Sequence, residues 1–196
     1  MALLVDHQIR HLATVARMLE PFSEQVQEGG VISFGLTHAG YDLRLGRSYL
    51  VFKNSFNEII SPKRMKDDKA YRNRVFDEVN LMHDHMEVII PPNGYILGYT
   101  LEYIRMPYWL KGRCVGKSSL ARCGIIVNTT PLEPSWEGHL TLEIANVTPC
   151  PVEIYTGEGV AQLEFEMLDQ KCEKTYADKS AKYQKQGPEP VPAKVI

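Results

Sequence analysis

Residues 116–143 read GKSSLARCGIIVNTTPLEPSWEGHLTLE, and the rest of the chain is organised around how this stretch folds. Its opening Gly116-Lys117-Ser118-Ser119 sets two hydroxyls and a cation beside a flexible backbone. Arg122 follows four residues after Ser118, the spacing at which a short helical turn aims two side chains at one ligand. Cys123-Gly124 then reads as a turn and Ile125-Ile126-Val127 as a strand. At the far end Leu140, Leu142 and Ile144 alternate with other residues, the period of a half-buried strand. Glu143 faces away from those three, either as a solvated strand residue or as a carboxylate held over a pocket. The order Gly-Lys-Ser also occurs in phosphate-binding P-loops, but those need G-x-x-x-x-G-K-[ST] between a strand and a long helix. Gly112 falls one residue short of that spacing and no long helix follows, so a P-loop triphosphatase is disfavoured. Taken alone, GKSS is a polar turn between strands.

On either side, the chain reads mainly as short strands. Residues 6–20 are the exception, an amphipathic helix with Asp6 as N-cap, Ile9, Leu12, Val15, Ala16 and Leu19 near helical spacing, and Pro21 beyond its end. From Val31 to Val51 strands are broken by Gly35, Gly40 and Gly46. Asp42 and Arg44 share one face there, placed for subunit, core or ligand contacts alike. Residues 62–85 are polar with mixed charge and no sustained apolar face, so they read as a partly helical surface excursion. Strands resume from Met86 to Phe165, with Pro91–Gly94 as a turn and with Asn146–Pro151 and Thr156–Gly159 read as hairpin turns. No strand–helix–strand alternation occurs, which disfavours a doubly wound sheet. The expectation is a single mainly β domain over residues 1–196, a jelly-roll-like distorted barrel with a few peripheral helices. The polar tail from Asp169, ending in Gly187-Pro188-Glu189-Pro190-Val191-Pro192, reads as mobile in the empty protein.

Composition narrows the function. A chain of 196 residues, 44% hydrophobic and 23% charged, is long enough for a sizeable core and ordinary for a soluble globular protein. A net charge of -2 gives no global drive toward nucleic acid, although local basic pockets remain open. No apolar run approaches membrane-spanning length and the N-terminus lacks a signal-peptide pattern, so the expectation is a cytoplasmic protein with no membrane partner. Cys114, Cys123, Cys150 and Cys172 are scattered without a CxxC pair and read as reduced, partly buried thiols. Zinc-dependent nucleobase deaminases carry H-x-E and P-C-x-x-C, and this chain has neither. The single His83-Asp84-His85 cluster reads as a solvated loop rather than a metal site.

Three long motifs in order carry a family resemblance. Lys117 to Gly124, Thr130 to His139 and Thr141-Leu142-Glu143 closely resemble the deoxycytidine triphosphate (dCTP) deaminase family of the trimeric deoxyuridine triphosphatase (dUTPase) superfamily. Ser33-Phe34-Gly35-Leu36 through Gly40-Tyr41-Asp42-Leu43-Arg44-Leu45 resembles its N-terminal signature. Tyr176-Ala177-Asp178, Lys182-Tyr183-Gln184 and Gln186 resemble its C-terminal one. The resemblance implies a dUTPase-type fold, a homotrimer with active sites between subunits, and a C-terminal lid at about residues 170–196. It implies zinc-independent deamination of dCTP to dUTP and ammonia, supplying dUTP for thymidylate synthesis, with feedback by thymidine triphosphate (dTTP). Magnesium would be held mainly by the triphosphate and water.

By residue, the resemblance makes Glu143 the proton shuttle, with Ser118 positioning water and Arg122 orienting the carboxylate. Nucleotide contacts fall to Lys117, Ser118, Ser119, Leu120, Ala121, Arg122 and Gln162, to Thr141, Leu142 and Glu143 at the pyrimidine, and to Tyr176, Lys182 and Gln186 from the tail. Chemically, adding water at C4 without zinc requires a carboxylate that takes the proton and passes it on. The chain departs from the enterobacterial branch in having Lys117 for arginine and a loop before Trp136 shorter by two residues. Glu133 falls where related dUTPases carry a water-activating aspartate. A bifunctional enzyme giving dUMP, a dUTPase alone and a silent nucleotide-binding regulator therefore stand as alternatives; Trp136 and the complete Thr141-Leu142-Glu143 motif favour deamination.

Overall fold

The computed structural model of the chain describes residues 2–27, 29–53, 55, 57–82, 86–128, 130–179 and 182–195. The His83-Asp84-His85 cluster lies outside the described residues, as does Thr129 in the loop before Trp136. In chain order the elements are α1 (Asp6–Val15), β1 (Leu19–Glu20), β2 (Gly35–Leu36), β3 (Tyr41–Arg44), β4 (Ser48–Phe52), α2 (Pro62–Asp67), α3 (Lys69–Val75) and β5 (Phe76–Asn80). There follow β6 (Glu87–Ile90), β7 (Tyr95–Arg105), β8 (Leu110–Gly116), α4 (Ser118–Ala121), β9 (Ile125–Asn128), β10 (Glu137–Asn146), β11 (Val152–Tyr155) and β12 (Gly159–Met167).

The architecture is mainly β, as the short punctuated strands predict. One sheet runs β5-β4-β7-β10-β9 with β1 also on β7, a second runs β2-β3-β12-β8, and β11 pairs with β6 in a third. Every strand pair is antiparallel. The result is jelly-roll-like and distorted, its sheets not closed into a continuous barrel. The alternation in β10 appears as expected, with Leu140, Leu142 and Ile144 buried and Thr141 and Glu143 on the other face. Leu142 and Ile144 enter one core with Leu43, Ile96, Leu163 and Phe165, so the two larger sheets share their apolar faces.

Three expectations need correction. The first helix ends at Val15, not residue 20, because Arg17 turns left-handed (φ 52) and the chain then enters β1. Its N-cap is Val5, whose N–H is taken by the Gln8 side chain at 3.1 Å, and Asp6 is the first helical residue. The turns Asn146–Pro151 and Thr156–Gly159 are not hairpins. They carry the chain from β10 to β11 and from β11 to β12, between different sheets, and turn composition alone cannot distinguish the two uses.

The polar segment 62–85 is also more than a surface excursion. Its helices contribute Met65, Tyr71 and Val75 to a second buried cluster with Phe76 and Leu97. Each short helix supplies only one or two such residues, too few to make a periodic stripe. Asp42 and Arg44 both find partners within the chain: Arg44 pairs with the fully buried Glu102 at 2.7 Å, and Asp42 with Lys117.

Candidate active site

The site grows out of β10. Glu143 stands opposite Asn128 of β9 and Leu97 of β7, so the carboxylate projects from the middle of three paired strands. Asn128 donates its side-chain N–H to Glu143 Oε2 at 3.3 Å. Burial raises the pKa of Glu143 above the ordinary glutamate value, and the Asn128 amide offsets this only in part. The partly buried Tyr95 hydroxyl is pushed up in turn, by burial and by the neighbouring Glu143 charge. Glu143 is thus held over a pocket, a cavity of about 480 Å³ that also meets Thr141, Trp136, Glu133, Tyr176 and Gln186. Apolar walls come from Phe52, Met65, Phe76, Tyr95 and Leu97. A mostly apolar cleft with a few convergent polar groups is the usual form of a small-molecule site.

The tail closes this cavity. Gln186 pairs in parallel with Gly138, His139 N–H donates to the Gln186 carbonyl at 3.0 Å, and Lys185 N–H to the Glu137 carbonyl at 2.8 Å. Such close approach requires Gly138: its φ is 145°, and a Cβ there would lie 2.7 Å from the Gln186 nitrogen. Trp136 Nε1–H donates to the Tyr183 carbonyl at 2.8 Å, and the Thr141 hydroxyl donates to Gln186 Oε1 at 3.0 Å. Val191 N–H returns to the same hydroxyl at 3.1 Å. The loop before Trp136 is pinned as well, by the paired bonds between Leu132 and Gly112 at 2.8 and 2.9 Å.

Five of the expected nucleotide residues therefore gather at one cavity or its backbone: Glu143, Thr141, Leu142, Tyr176 and Gln186. The Leu142 side chain is in the core, leaving only its backbone to face a ligand. Lys182 instead lines an adjoining cavity of about 780 Å³ beside α2 and α3. The remaining set lies elsewhere on the single chain. Ser118, Ser119 and Ala121 form the exposed side of α4, Leu120 turns into the core, and the Arg122 guanidinium reaches the Ser118 carbonyl at 3.4 Å. Gln162 faces Asp42 and Thr37 across β12 and β3. None of Lys117, Ser118, Ser119, Arg122 or Gln162 lines the Glu143 cavity.

Sequence reasoning did not find Asn128, which touches the carboxylate only because β9 and β10 pair in this register. It also missed Met65 and Phe76, whose segment looked solvated. Among the described residues no three His, Cys, Asp or Glu side chains converge as a metal site. Cys123 and Cys150 are exposed rather than partly buried. No described helix is long and apolar enough to cross a membrane.

Residues 3–168 match the family model described as dCTP deaminase-like. A dCTP deaminase of Paramagnetospirillum magneticum is 44% identical over 187 residues, covering 95% of this chain and 96% of the relative. One from Nautilia profundicola is 45% identical over 179 residues, covering 91% and 90%. The crystal structure of a 2'-deoxycytidine 5'-triphosphate deaminase from Agrobacterium tumefaciens superposes with a TM-score of 0.58. At 23% identity it speaks to the fold alone; it covers 84% of this chain, which spans about half (48%) of that longer one. A partly buried glutamate on a central strand, facing a tail-covered cavity, thus occurs in a sequence that matches one family along nearly its whole length, and the chain belongs to the dCTP deaminase-like family.

Proposed function

We propose that the protein hydrolyses dCTP to dUTP and ammonia, with Glu143 as the proton shuttle and no zinc in the reaction. The observation that carries this reading is the burial of Glu143 over a cavity able to take a pyrimidine, with its pKa raised. A carboxyl group moved toward neutrality can both take a proton from water and return one. Water adds at C4 as Glu143 takes one of its protons and gives it to N3; Glu143 then takes the second from the C4 hydroxyl and gives it to the amine, so that the C4–N bond breaks, ammonia departs and the C4 carbonyl forms. The Asn128 amide fixes one carboxylate oxygen, leaving the other for water. Thr141 and the backbone at Leu142 face the pyrimidine edge.

Active sites are proposed to form between subunits of a homotrimer. Two observations support that: the α4 set lines no part of the Glu143 cavity, and apolar Ile89, Ile126 and Val147 are exposed. Magnesium would be carried by the triphosphate, since the described residues offer no carboxylate cluster of their own for it. We place the enzyme in the cytoplasm, supplying dUTP for thymidylate synthesis, with dTTP as a feedback ligand.

Glu133 lines the same cavity as Glu143, and this favours one second reading, a bifunctional enzyme that also releases pyrophosphate. Incubating the protein with dCTP and magnesium while assaying ammonia and separating nucleotides decides between them. Ammonia with stoichiometric dUTP is the expected result. Ammonia with dUMP and pyrophosphate would establish the second reading, and no ammonia would overturn both.

The tail is proposed to act as a lid, and Trp136→Phe tests it by removing one N–H while keeping an aromatic ring. Loss of the bond to the Tyr183 carbonyl is expected to raise KM for dCTP by roughly tenfold, the size of one such hydrogen bond, with kcat changed less. An unchanged KM would show that the tail does not hold substrate.

A further inference from the structure

We propose that the cavity of about 780 Å³ between the α2–α3 corner and the tail is a second anion site, separate from the Glu143 cavity, and that it takes a phosphate chain. Among the described residues five cations line it: Lys66, Lys69 and Arg72 from the helices, Lys182 and Lys194 from the tail. Only two carboxylates, Glu78 and Glu189, stand among them. No ion pair of the described residues takes up Lys66, Lys69, Lys182 or Lys194. Five cations against two carboxylates around one cavity repel one another, and a polyanion placed between them relieves that repulsion. Ammonium groups bind phosphate oxygens as separate point charges, so a chain of phosphates suits several lysines spread around a cavity. Lys182 is counted among the substrate's contacts, so what sets this site apart is the helical wall with Lys66 and Lys69.

That wall is preformed. Asp68 ends α2 and caps α3, its carboxylate accepting the Tyr71 N–H at 2.7 Å. Arg72 Nη1 donates to the Met65 carbonyl at 2.7 Å and to the Lys66 carbonyl at 3.0 Å, which ties α3 back onto the last turn of α2. Lys66 and Lys69 flank this corner, both exposed, while Met65 and Tyr71 anchor it in the second buried cluster. Asn73 adds an amide, and Leu50 and Phe76 offer an apolar surface suited to a nucleobase.

The facing wall is the end of the tail, folded back on Tyr183. Lys194 N–H donates to the Tyr183 hydroxyl at 2.8 Å, and the Lys194 ammonium lies 5.8 Å from the centre of that ring. Val191 and Ala193 of the same stretch line both this cavity and the Glu143 cavity. An anion that bridges the helix lysines and the tail lysines therefore favours the docked tail, and the docked tail favours the anion. The site would in this way report on substrate binding without touching Glu143.

Calorimetric titration with adenosine triphosphate at low ionic strength, with no dCTP present, tests the site. Lys66→Gln/Lys69→Gln removes two exposed charges, so it should melt within about 2 °C of wild type. It is expected to weaken the nucleotide about tenfold or more, with kcat for dCTP unchanged. Arg122→Ala, in the motif proposed to face the substrate triphosphate, is expected to leave this binding as it is. Inorganic tripolyphosphate separates the two sources of a phosphate chain. If it matches the nucleotide, the ligand is a free phosphate chain; if the nucleotide is tighter by tenfold, a base rests on Leu50 and Phe76. Binding that survives in Lys66→Gln/Lys69→Gln, or is lost in Arg122→Ala instead, would overturn the proposal, as would no binding of either probe to wild type. In dCTP kinetics adenosine triphosphate is expected to lower KM severalfold in wild type but not in the double variant, and an unmoved KM would overturn the link to the tail. The titrations need no turnover, so a negative ammonia assay would refute the deaminase reading and leave the site standing.

Discussion

Glu143→Gln is expected to lower kcat for dCTP deamination by about a thousandfold, within the range of a lost general acid–base, while KM stays within a few-fold. Glutamine keeps the shape, and its carbonyl can still accept the Asn128 amide, so the cavity and its nucleotide contacts persist. On the proposed mechanism the substitution removes only the site that receives the water proton. The pH dependence follows from the direction of the shift. As the proposed base, Glu143 must be ionised, so activity is expected to fall as pH drops through a pKa above the ordinary 4.5. Stability moves the other way. Between the ordinary and the raised value the unfolded chain has released this proton and the folded chain still holds it, so stability falls as pH rises through that window. Glu143→Gln should therefore melt above wild type at neutral pH, and the gap should close below about pH 4. Full activity in the variant would remove Glu143 from the mechanism. A variant that melts no higher than wild type would mean that the carboxylate is solvated in the folded protein.

How much of this was legible beforehand depends on the range of the interaction. The strand at Leu140–Ile144 and the turn at Ser118–Arg122 are local patterns, and both form where the sequence predicts them. Glu143 could be placed on the outer face of its strand from period alone, but not over a cavity, because the cavity needs β4, β5, β7, α2 and the tail. Asn128 lies fifteen residues from Glu143 along the chain, and only the pairing register makes them neighbours. Segment 62–85 misled for a related reason: its buried Met65, Tyr71 and Val75 fall on two short helices meeting at Asp68, so no single helical period links them. Lys117 illustrates the limit most directly. Its motif position points to a phosphate, while its ammonium lies against a carboxylate seventy-five residues earlier. No spacing rule carries that information, because it arises where β3, β8 and β12 meet in one sheet.

Arg44→Ala is expected to destabilise the protein by about 3–5 kcal/mol, the cost of stranding one member of a buried pair. Glu102 is fully buried, and Arg44 approaches it with only 16% of its side chain exposed. Arg44 Nε–H donates at 2.7 Å and its backbone N–H at 2.9 Å, while the guanidinium also lies 4.8 Å from the centre of the Phe34 ring. The pair stands where the chain passes between the two larger sheets: Arg44 ends β3, and the next residue, Leu45, bridges to Thr100 of β7. Burial raises the Glu102 pKa and the Arg44 charge opposes that rise. Taking the guanidinium away leaves only backbone N–H groups and no counter-charge. At about 2–4 °C per kcal/mol for a chain of this size, the melting temperature should fall by roughly 10 °C. The deficit should shrink in acid, because protonating the stranded carboxylate removes the buried charge, and Arg44→Ala/Glu102→Gln should recover part of the loss at pH 7. Deamination measured well below the melting point should change little, since neither residue lines the Glu143 cavity. A loss below 1 kcal/mol, or one independent of pH, would mean that water reaches Glu102 once the arginine is gone.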